Sequence, residues 1–292
     1  MKKLLVLLVI LLLTAPLFSF PSGKILENLS MSSQIVAYDV NYCVYLPPGY
    51  DEATRLYPVV YLLHGYSDKE WGWVQFGEIQ QAADRAIADR SIPPMIIVMP
   101  DGKVTFYSND YKGEDRWEDM FIQEFIPYIE KSYRVRTEKE FRGISGLSMG
   151  GFGSLMFVMR YPDMFAACAA FSSAAWDDDW LKDEKARRDW DHYFGVLFGP
   201  LENGELPKYF KEHHSVHLAR TKSLEELKKV RYYIDCGDDD FLINGNMLLH
   251  KVMKDRGIAH EFRVRDGGHS WPYWRTGIVD GLKFIGESFH RN

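Results

Sequence analysis

The chain has 292 residues, of which 46% are hydrophobic and 15% aromatic, so it can bury a sizeable core and is not a disordered polymer. Its 35 Lys and Arg against 41 Asp and Glu give a net charge of -6, which excludes the basic footprint of a nucleic-acid-binding protein. The 3 cysteines are scattered and form neither a disulfide framework nor a zinc-binding spacing, and we expect no metal and no cofactor.

The N-terminal segment has the pattern of a secretory signal peptide. Lys2 and Lys3 precede an unbroken apolar run over residues 4–13, and small residues follow that run. The run is shorter than the ~20 residues that a membrane-spanning helix needs, so an uncleaved anchor is the weaker interpretation. We therefore predict a leader over residues 1–22 without a defined cleavage point, no stable membrane insertion after its removal, and a secreted or periplasmic protein.

Beyond this leader, segments with strand and helix periodicity alternate along the chain. In chain order, the predicted elements are an antiparallel strand (35–46), a strand (57–63), a helix (79–87), a strand (95–99), a helix (117–133), a strand (141–144), a helix that ends before Pro162, two strands (165–171 and 230–235), a helix (244–256), a strand (261–264) and a helix (277–290). Buried strands interleaved with helices indicate an α/β fold, with a mainly parallel twisted sheet and helices on both faces.

One segment, residues 174–226, interrupts this alternation. It is polar, rich in Trp and Asp, and lacks a strand pattern. Because it follows the end of a buried strand, where α/β proteins place loops over functional sites, we predict a small insertion of short helices and loops over a cleft. The chain shows no linker and no internal repeat, so residues 23–292 are predicted to form a single domain.

Residues 146–150, Gly-Leu-Ser-Met-Gly, match the G-x-S-x-G pattern that places a serine on a sharp turn between a strand and a helix. The pattern alone is weak, and the alternative is an ordinary glycine-rich loop. Its flanks favour the turn, because a short apolar strand precedes Ser148 and a helical pattern follows it. A nucleophilic serine also needs a base, an acid that orients the base, and donors for the oxyanion.

The candidate base is His269, which lies in the segment Asp-Gly-Gly-His-Ser-Trp directly after the last predicted strand. The acid should come from the segment over residues 233–243, which supplies four aspartates. Asp235 falls within the predicted strand and is a poor candidate. Asp240 leads into the apolar pair Phe241-Leu242, which we expect to anchor the loop, but spacing alone leaves Asp239 and Asp240 open.

Backbone amides are the predicted oxyanion donors. One is the N–H of Met149, which follows the candidate nucleophile, and the other should come from residues 62–66, Leu-Leu-His-Gly-Tyr, where an early strand ends. We interpret His64 in that segment as a structural, hydrogen-bonded histidine and not as a base. The histidines at positions 213, 214 and 217 lack the spacing of a metal site, and we expect them in a solvated polar segment.

Five motifs carry a family resemblance: Tyr61-Leu-Leu-His-Gly65, Met99-Pro-Asp-Gly102, Gly146-Leu-Ser-Met-Gly-Gly151, Cys236-Gly-Asp-Asp-Asp-Phe-Leu242 and Gly267-Gly-His-Ser-Trp271. In content and order they resemble the esterase D-type α/β-hydrolases, which include the feruloyl and acetyl-xylan esterases of carbohydrate esterase family one. The resemblance runs from about residue 35 to 289 and implies an α/β-hydrolase fold. It implies Ser148 as the nucleophile, His269 as the base and Asp240 as the acid. The amides of Met149 and Tyr66 correspond to the oxyanion donors of that family.

On this basis we predict a secreted serine esterase that acts on acyl esters of carbohydrates, either feruloyl or acetyl esters of plant cell-wall polysaccharide. Trp176, Trp271 and Trp274 are candidate substrate contacts, since aromatic rings stack on sugars and on cinnamoyl rings; the alternative is that they only pack the protein. Three other functions stay open: a small-acyl or thioester hydrolase of the S-formylglutathione hydrolase type, an acyltransferase to a sugar, and a non-enzymatic carbohydrate-binding protein on a hydrolase fold.

Overall fold

The computed structural model describes residues 22–176 and 179–289, and the predicted leader lies outside them except for Ser22. Eight strands form one sheet: β1 (Lys24–Ser32), β2 (Asp39–Leu46), β3 (Val59–Leu63), β4 (Ile96–Pro100), β5 (Arg142–Leu147), β6 (Ala167–Phe171), β7 (Arg231–Gly237) and β8 (His260–Arg265). β2 pairs antiparallel with β1 and β4, while the pairs from β4 onward are parallel, in the order β1-β2-β4-β3-β5-β6-β7-β8. The loops after the parallel strands therefore meet at one edge of the sheet.

Helices cover both faces of this sheet. In chain order they are α1 (Gly72–Gln75), α2 (Ile79–Ala88), α3 (Trp117–Met120), α4 (Ile126–Ser132), α5 (Met149–Arg160), α6 (Glu184–Asp189), α7 (Gly195–Phe198), α8 (Lys208–Lys211), α9 (Ser215–Thr221), α10 (Leu224–Leu227), α11 (Ile243–Asp255) and α12 (Trp271–Ser288). Helices α2 and α12 pack on one face, and α3, α4, α5, α9 and α11 pack on the other. The predicted mainly parallel sheet with helices on both faces is confirmed.

The alternation of side chains along β3 connects the two layers of the core. Val59, Tyr61 and Leu63 belong to the core under α5, whereas Val60 and Leu62 belong to the core under α12. All five side chains are fully buried, because a central strand has both of its faces covered. This explains why the segment appears in the sequence as a continuous apolar run.

Besides the unpredicted one-turn helix α1, three elements differ from the sequence prediction. Strand β1 was not predicted, since its side chains are mostly half-buried or exposed at the edge of the sheet. The helix over residues 117–133 is continuous, but its middle, Phe121–Phe125, is π-helical, and Pro127 beside it cannot donate the usual backbone bond. Helix α12 begins at Trp271, six residues earlier than predicted, because Pro272 is tolerated in a first helical turn.

The segment between β6 and β7 contains helices α6 to α10, a 3-10 turn over Trp180–Lys182 and a π-helical turn over Trp190–Phe194. Its described residues contain no strand of the sheet. Among residues 22–176 and 179–289, no helix has the length and the apolar character required to cross a bilayer.

Candidate active site

Ser148 lies on the turn between β5 and α5, in a backbone conformation that non-glycine residues rarely adopt. Its φ of 54° and ψ of -116° strain the chain and direct the hydroxyl away from the sheet. The flanking glycines permit this turn: a Cβ on Gly146 would lie 2.5 Å from the carbonyl of Gly150, and a Cβ on Gly150 would lie 2.4 Å from the Leu63 oxygen. The predicted strand–turn–helix context of Ser148 is therefore present.

The structure brings Ser148, His269 and Asp240 together in one chain of hydrogen bonds. His269 Nε2 lies 2.9 Å from Ser148 Oγ, and His269 Nδ1 lies 2.9 and 3.0 Å from the two oxygens of Asp240. Because an ionised carboxylate only accepts, Nδ1 carries the proton and donates it to Asp240. The other nitrogen, Nε2, is then free to accept the hydrogen of the serine hydroxyl.

Asp240 is held ionised in a buried position. Only 2% of it is exposed, and this burial raises its pKa. Hydrogen bonds from His269, from Ser172 and from the backbone N–H of Leu242 outweigh that effect, so the pKa of Asp240 lies below its usual value. A buried carboxylate in this position can stabilise the imidazolium that forms when His269 takes a proton.

Two loops that touch each other place the acid and the base. Asp240 follows β7, and the N–H of Leu242 donates to its carboxylate at 2.9 Å. His269 follows β8 after Gly267, whose φ of 134° suits only glycine. A Cβ on Gly237 would lie 1.9 Å from the Gly267 oxygen, so the two loops can meet only because position 237 lacks a side chain.

The other aspartates of this region lie elsewhere. Asp235 is buried in β7, where it pairs with Arg265 at 3.0 Å and accepts hydrogen bonds from the hydroxyls of Tyr233 and Tyr273. Asp239, which spacing alone could not separate from Asp240, is exposed, as are Asp238 and Asp266 beside it. Only Asp240 reaches His269 among the candidates for the acid.

The predicted oxyanion donors lie beside Ser148. Met149 is the first residue of α5, so its N–H has no helical acceptor, and the positive end of the helix dipole lies at this point. Tyr66 follows β3 and lines the same cavity as Ser148 and Met149. Neither amide donates to an acceptor within the part of the chain that the structure describes.

A cavity of about 390 Å³ opens at Ser148. Half of its lining residues are aromatic, and the lining comes from five separate parts of the chain. The lining residues are Tyr66, Phe106, Ser148, Met149, Ala174, Trp176, Lys185, Asp189, Tyr193, Phe194, Phe241 and Leu242. A larger cleft of about 740 Å³, bordered by Arg160 and Lys208, contains none of the candidate site residues.

Sequence reasoning missed Phe106 and Phe194 in this wall and misplaced Phe241. Phe106 has a φ of 52° in the loop after β4, and Phe194 lies on the π-helical turn of the insertion, so neither position carries a local pattern. Phe241 was expected to anchor the acid loop together with Leu242. Leu242 is buried, whereas Phe241 is 75% exposed and its ring lies 4.6 Å from that of His269.

The three candidate tryptophans have different positions. Trp176 forms part of the cavity wall and stacks on Trp180. Trp271 lies outside the cavity and is half-buried against Trp73. Trp274 is only 5% exposed; its ring edge packs on His269 at 4.8 Å and its Nε1 donates to Ser172. The predicted substrate contact of Trp274 is therefore wrong. Because α12 begins at Trp271, Trp274 lies within the helix and its side chain points into the core.

The histidines near position 213 are also not solvated, contrary to the sequence expectation. His213 and His214 are buried, since the segment that carries them leads into α9, which packs against α5. His213 Nε2 lies 3.3 Å from the buried carboxylate of Glu118, and His214 Nε2 accepts the backbone N–H of Trp176. His64 does match its prediction, as a buried histidine whose two ring nitrogens are both hydrogen-bonded.

Comparisons with known proteins agree with this geometry. The sequence model of the family described as "Putative esterase" matches residues 33–285. A solved ferulic acid esterase has a TM-score of 0.79 at 30% identity, and the match covers 92% of this chain and 99% of that one. The acetyl esterase of Caldicellulosiruptor saccharolyticus is 26% identical over 232 residues, which are 78% of this chain and 83% of the relative.

The endo-1,4-beta-xylanase/feruloyl esterase of Xylanibacter ruminicola is 34% identical over 173 residues, or 56% of this chain. The matched part spans only 23% of that longer relative. The similarity to the ferulic acid esterase structure confirms the α/β-hydrolase fold and the resemblance inferred from the motifs. The chain belongs to the family described as "Putative esterase", and it is an esterase with an α/β-hydrolase fold.

Proposed function

We propose that the protein is a secreted serine esterase that releases acyl groups from carbohydrates, with Ser148, His269 and Asp240 as its catalytic residues. The observation that carries this proposal is the pair of hydrogen bonds from Asp240 through His269 to Ser148, at the mouth of an aromatic cavity. We also propose that residues 23–292 form one esterase domain, with the insertion over residues 174–226 as one wall of its site.

In this mechanism the hydroxyl of Ser148 gives its proton to His269 Nε2 while Oγ attacks the acyl carbonyl. The amides of Met149 and Tyr66 stabilise the oxyanion of the tetrahedral intermediate. His269 then returns the proton to the leaving alcohol, and the acyl group stays on Ser148. Water, activated by the same histidine, releases the acid. Asp240 keeps the imidazole in the required tautomer and balances its charge.

The size and lining of the cavity favour an aromatic acyl group over an acetyl group. Its volume of about 390 Å³ lies within the ~300–1,000 Å³ of pockets that hold drug-sized ligands. The rings of Phe106, Trp176 and Phe194 pack on one another with centroids 5.0 to 6.2 Å apart, so the wall is rigid. A flat cinnamoyl-type ring would bury its faces against this wall, whereas an acetyl group would leave most of the wall exposed to water.

Near Ser148 but outside this cavity, the surroundings of Asp68 favour a neutral, hydroxyl-rich alcohol. A Cβ on Gly65 would lie 3.4 Å from Asp68 Oδ2 and 3.7 Å from Ser148 Cβ, so this carboxylate lies close to the nucleophile. Burial raises the pKa of Asp68, and no donor within the described residues hydrogen-bonds to its carboxylate. A sugar hydroxyl could supply that donor, with Trp271 adjacent for stacking. The carboxylates of a glutathione thioester would instead be repelled.

Replacing the nucleophile tests the reaction. Ser148→Ala should lower the kcat for methyl ferulate by about 10⁵-fold or more, because no other group can form the acyl-enzyme. The thermal midpoint of the variant should stay close to that of the wild type, since the hydroxyl is not a packing element. Hydrolysis retained by a folded Ser148→Ala variant would overturn the mechanism. Transfer of ferulate to added xylo-oligosaccharide in preference to water would identify a transferase.

Replacing one wall residue tests the acyl specificity. Trp176→Ala should lower kcat/KM for methyl ferulate by about 10–100-fold, because burial of an aromatic ring is worth about 1.5–3 kcal/mol. The value for methyl acetate, which has the same alcohol, should change far less. Trp271→Ala is the matched control, since Trp271 lies outside the cavity and should leave the ferulate-to-acetate ratio unchanged. Equal losses on both substrates in Trp176→Ala would argue against an aromatic acyl site.

A further inference from the structure

His64 has a single hydrogen-bonding state imposed by its surroundings. It follows β3, is only 1% exposed, and its Nε2 lies 2.8 Å from the backbone N–H of Gly102. A backbone N–H can only donate, so this nitrogen is unprotonated and accepts. The ring proton is therefore on Nδ1, which donates to the carbonyl oxygen of Gly65 at 2.7 Å.

This bond acts on the peptide unit that carries one of the proposed oxyanion donors. The carbonyl of Gly65 and the N–H of Tyr66 belong to the same planar peptide, and in the trans form they point in opposite directions. A bond that fixes the direction of the Gly65 oxygen thus also fixes the direction of the Tyr66 N–H. The N–H of Asp68 adds a longer bond of 3.2 Å to the same oxygen.

The imidazole is itself clamped by the loop after β4. Tyr107 donates its hydroxyl hydrogen to the His64 carbonyl at 2.9 Å. Asp101 Oδ1 lies 3.4 Å from His64 Nε2, but a carboxylate only accepts, so it makes no hydrogen bond to this unprotonated nitrogen. The loop can take this path only because Gly102 lacks a side chain, since a Cβ there would lie 2.2 Å from the Tyr107 ring. The ring therefore bridges the loop after β3 to the loop after β4.

We propose that His64, as a neutral Nδ1–H imidazole, is a positioning residue that aims the Tyr66 amide at the oxyanion. This proposal rests on the proposed function, in which Tyr66 is an oxyanion donor. His64 exchanges no proton with the substrate in this role. Loss of one oxyanion donor costs about 10²–10³-fold in kcat in serine hydrolases, and a misdirected donor should cost a part of that.

Two isosteric variants separate positioning from simple stability. In His64→Asn the side-chain NH₂ lies near the position of Nδ1, so it can still donate to Gly65 while the N–H of Gly102 loses its acceptor. In His64→Gln the terminal oxygen lies near the position of Nε2, so it can still accept from Gly102 while Gly65 loses its donor. Each variant therefore keeps one of the two bonds and breaks the other.

The kinetic test uses methyl ferulate and an arylboronic acid that forms a tetrahedral adduct with the serine. His64→Gln should lower kcat by about 10–100-fold with KM within about 3-fold, and the boronate should bind more weakly by a similar factor. His64→Asn should keep kcat within about 5-fold of the wild type, at a similar thermal midpoint to His64→Gln. Equal kcat values in the two variants, or losses that follow the thermal midpoint only, would overturn the proposal.

A measurement on the wild-type protein tests the proposal even if both variants fail to fold. The ¹⁵N shifts of the His64 imidazole at about pH 7.5 should show a protonated Nδ1 and an unprotonated Nε2. The reverse tautomer would overturn the proposal. Failure of the proposed function would have a different signature, because hydrolysis would then persist in Ser148→Ala whatever the state of His64.

Discussion

Asp240→Asn tests the acid of the proposed triad and resolves the choice that spacing left open. The substitution keeps the shape of the side chain but removes the negative charge beside His269 Nδ1, at 2.9 Å. The new amide can also donate to Nδ1, which would hold the imidazole in the tautomer that cannot accept from Ser148. Both effects act on the transition state and leave the substrate cavity in place.

The expected loss follows from the geometry. Two unit charges about 4 Å apart attract by about 4 kcal/mol at an effective dielectric constant of about 20, which suits a nearly buried pair. Each 1.36 kcal/mol is a factor of about ten in rate, so the lost charge alone predicts a fall of about 10³-fold in kcat. The wrong tautomer should increase this loss towards 10⁴-fold, as in other serine hydrolases.

The assay is the kcat and KM for methyl ferulate at about pH 7.5. Asp239→Asn is the matched control, because this residue is one position away, has the same chemistry and is exposed. It should keep kcat within about 2-fold of the wild type, as expected for a surface substitution. A large loss in Asp239→Asn together with near-normal activity in Asp240→Asn would refute the assignment.

Glu118→Gln should weaken the dependence of the free energy of unfolding on pH below about 4.5. Burial raises the pKa of Glu118, but contacts with His213 and Arg160 outweigh this effect and hold the pKa at about 2 instead of 4.5. A pKa lowered in this way stabilises the fold by about 3 kcal/mol above pH 4.5, and this contribution is lost as the pH falls towards 2. Gly150→Ala should lower both the thermal midpoint and kcat, at a cost of about 1–3 kcal/mol, because its Cβ would lie 2.4 Å from the Leu63 oxygen. Asp68→Asn should lower kcat/KM for a feruloylated oligosaccharide about 10-fold and leave methyl ferulate nearly unchanged, since only the sugar offers hydroxyls to the carboxylate.

Each of these results has a direct check. Urea unfolding at about pH 3, 5 and 7 should show a smaller pH dependence for Glu118→Gln than for the wild type, and parallel curves would contradict the pKa of Glu118. Calorimetry of Gly150→Ala should show the lower midpoint; an unchanged midpoint would mean that the turn has room to relax. For Asp68→Asn, an equal effect on both ferulate esters would place the carboxylate outside the alcohol side of the site.

Local features of the sequence determined the elements whose cause is also local. The glycines at 146 and 150 flank Ser148 because strand and helix nearly touch there, so the short pattern together with its strand-like and helix-like flanks was sufficient to predict the turn. The continuous apolar run of β3 predicted a strand covered on both faces. The order of the serine, the aspartates and the histidine followed from the order of the strands, since each comes directly after a strand of the parallel sheet.

Spacing did not separate Asp240 from Asp239, and the family resemblance only implied Asp240; the tertiary structure shows that it is Asp240 that reaches His269, because adjacent residues of one turn differ in the direction of their side chains and not in their chemistry. The tertiary structure also decided the positions of two tryptophans. Trp274 lies in the core because α12 begins before it, and Trp176 lines the cavity because the insertion folds back over the site. The cavity wall joins the loops after β3 and β4 with the insertion and the acid loop. Contacts between residues so distant in sequence arise from packing, which no local pattern records.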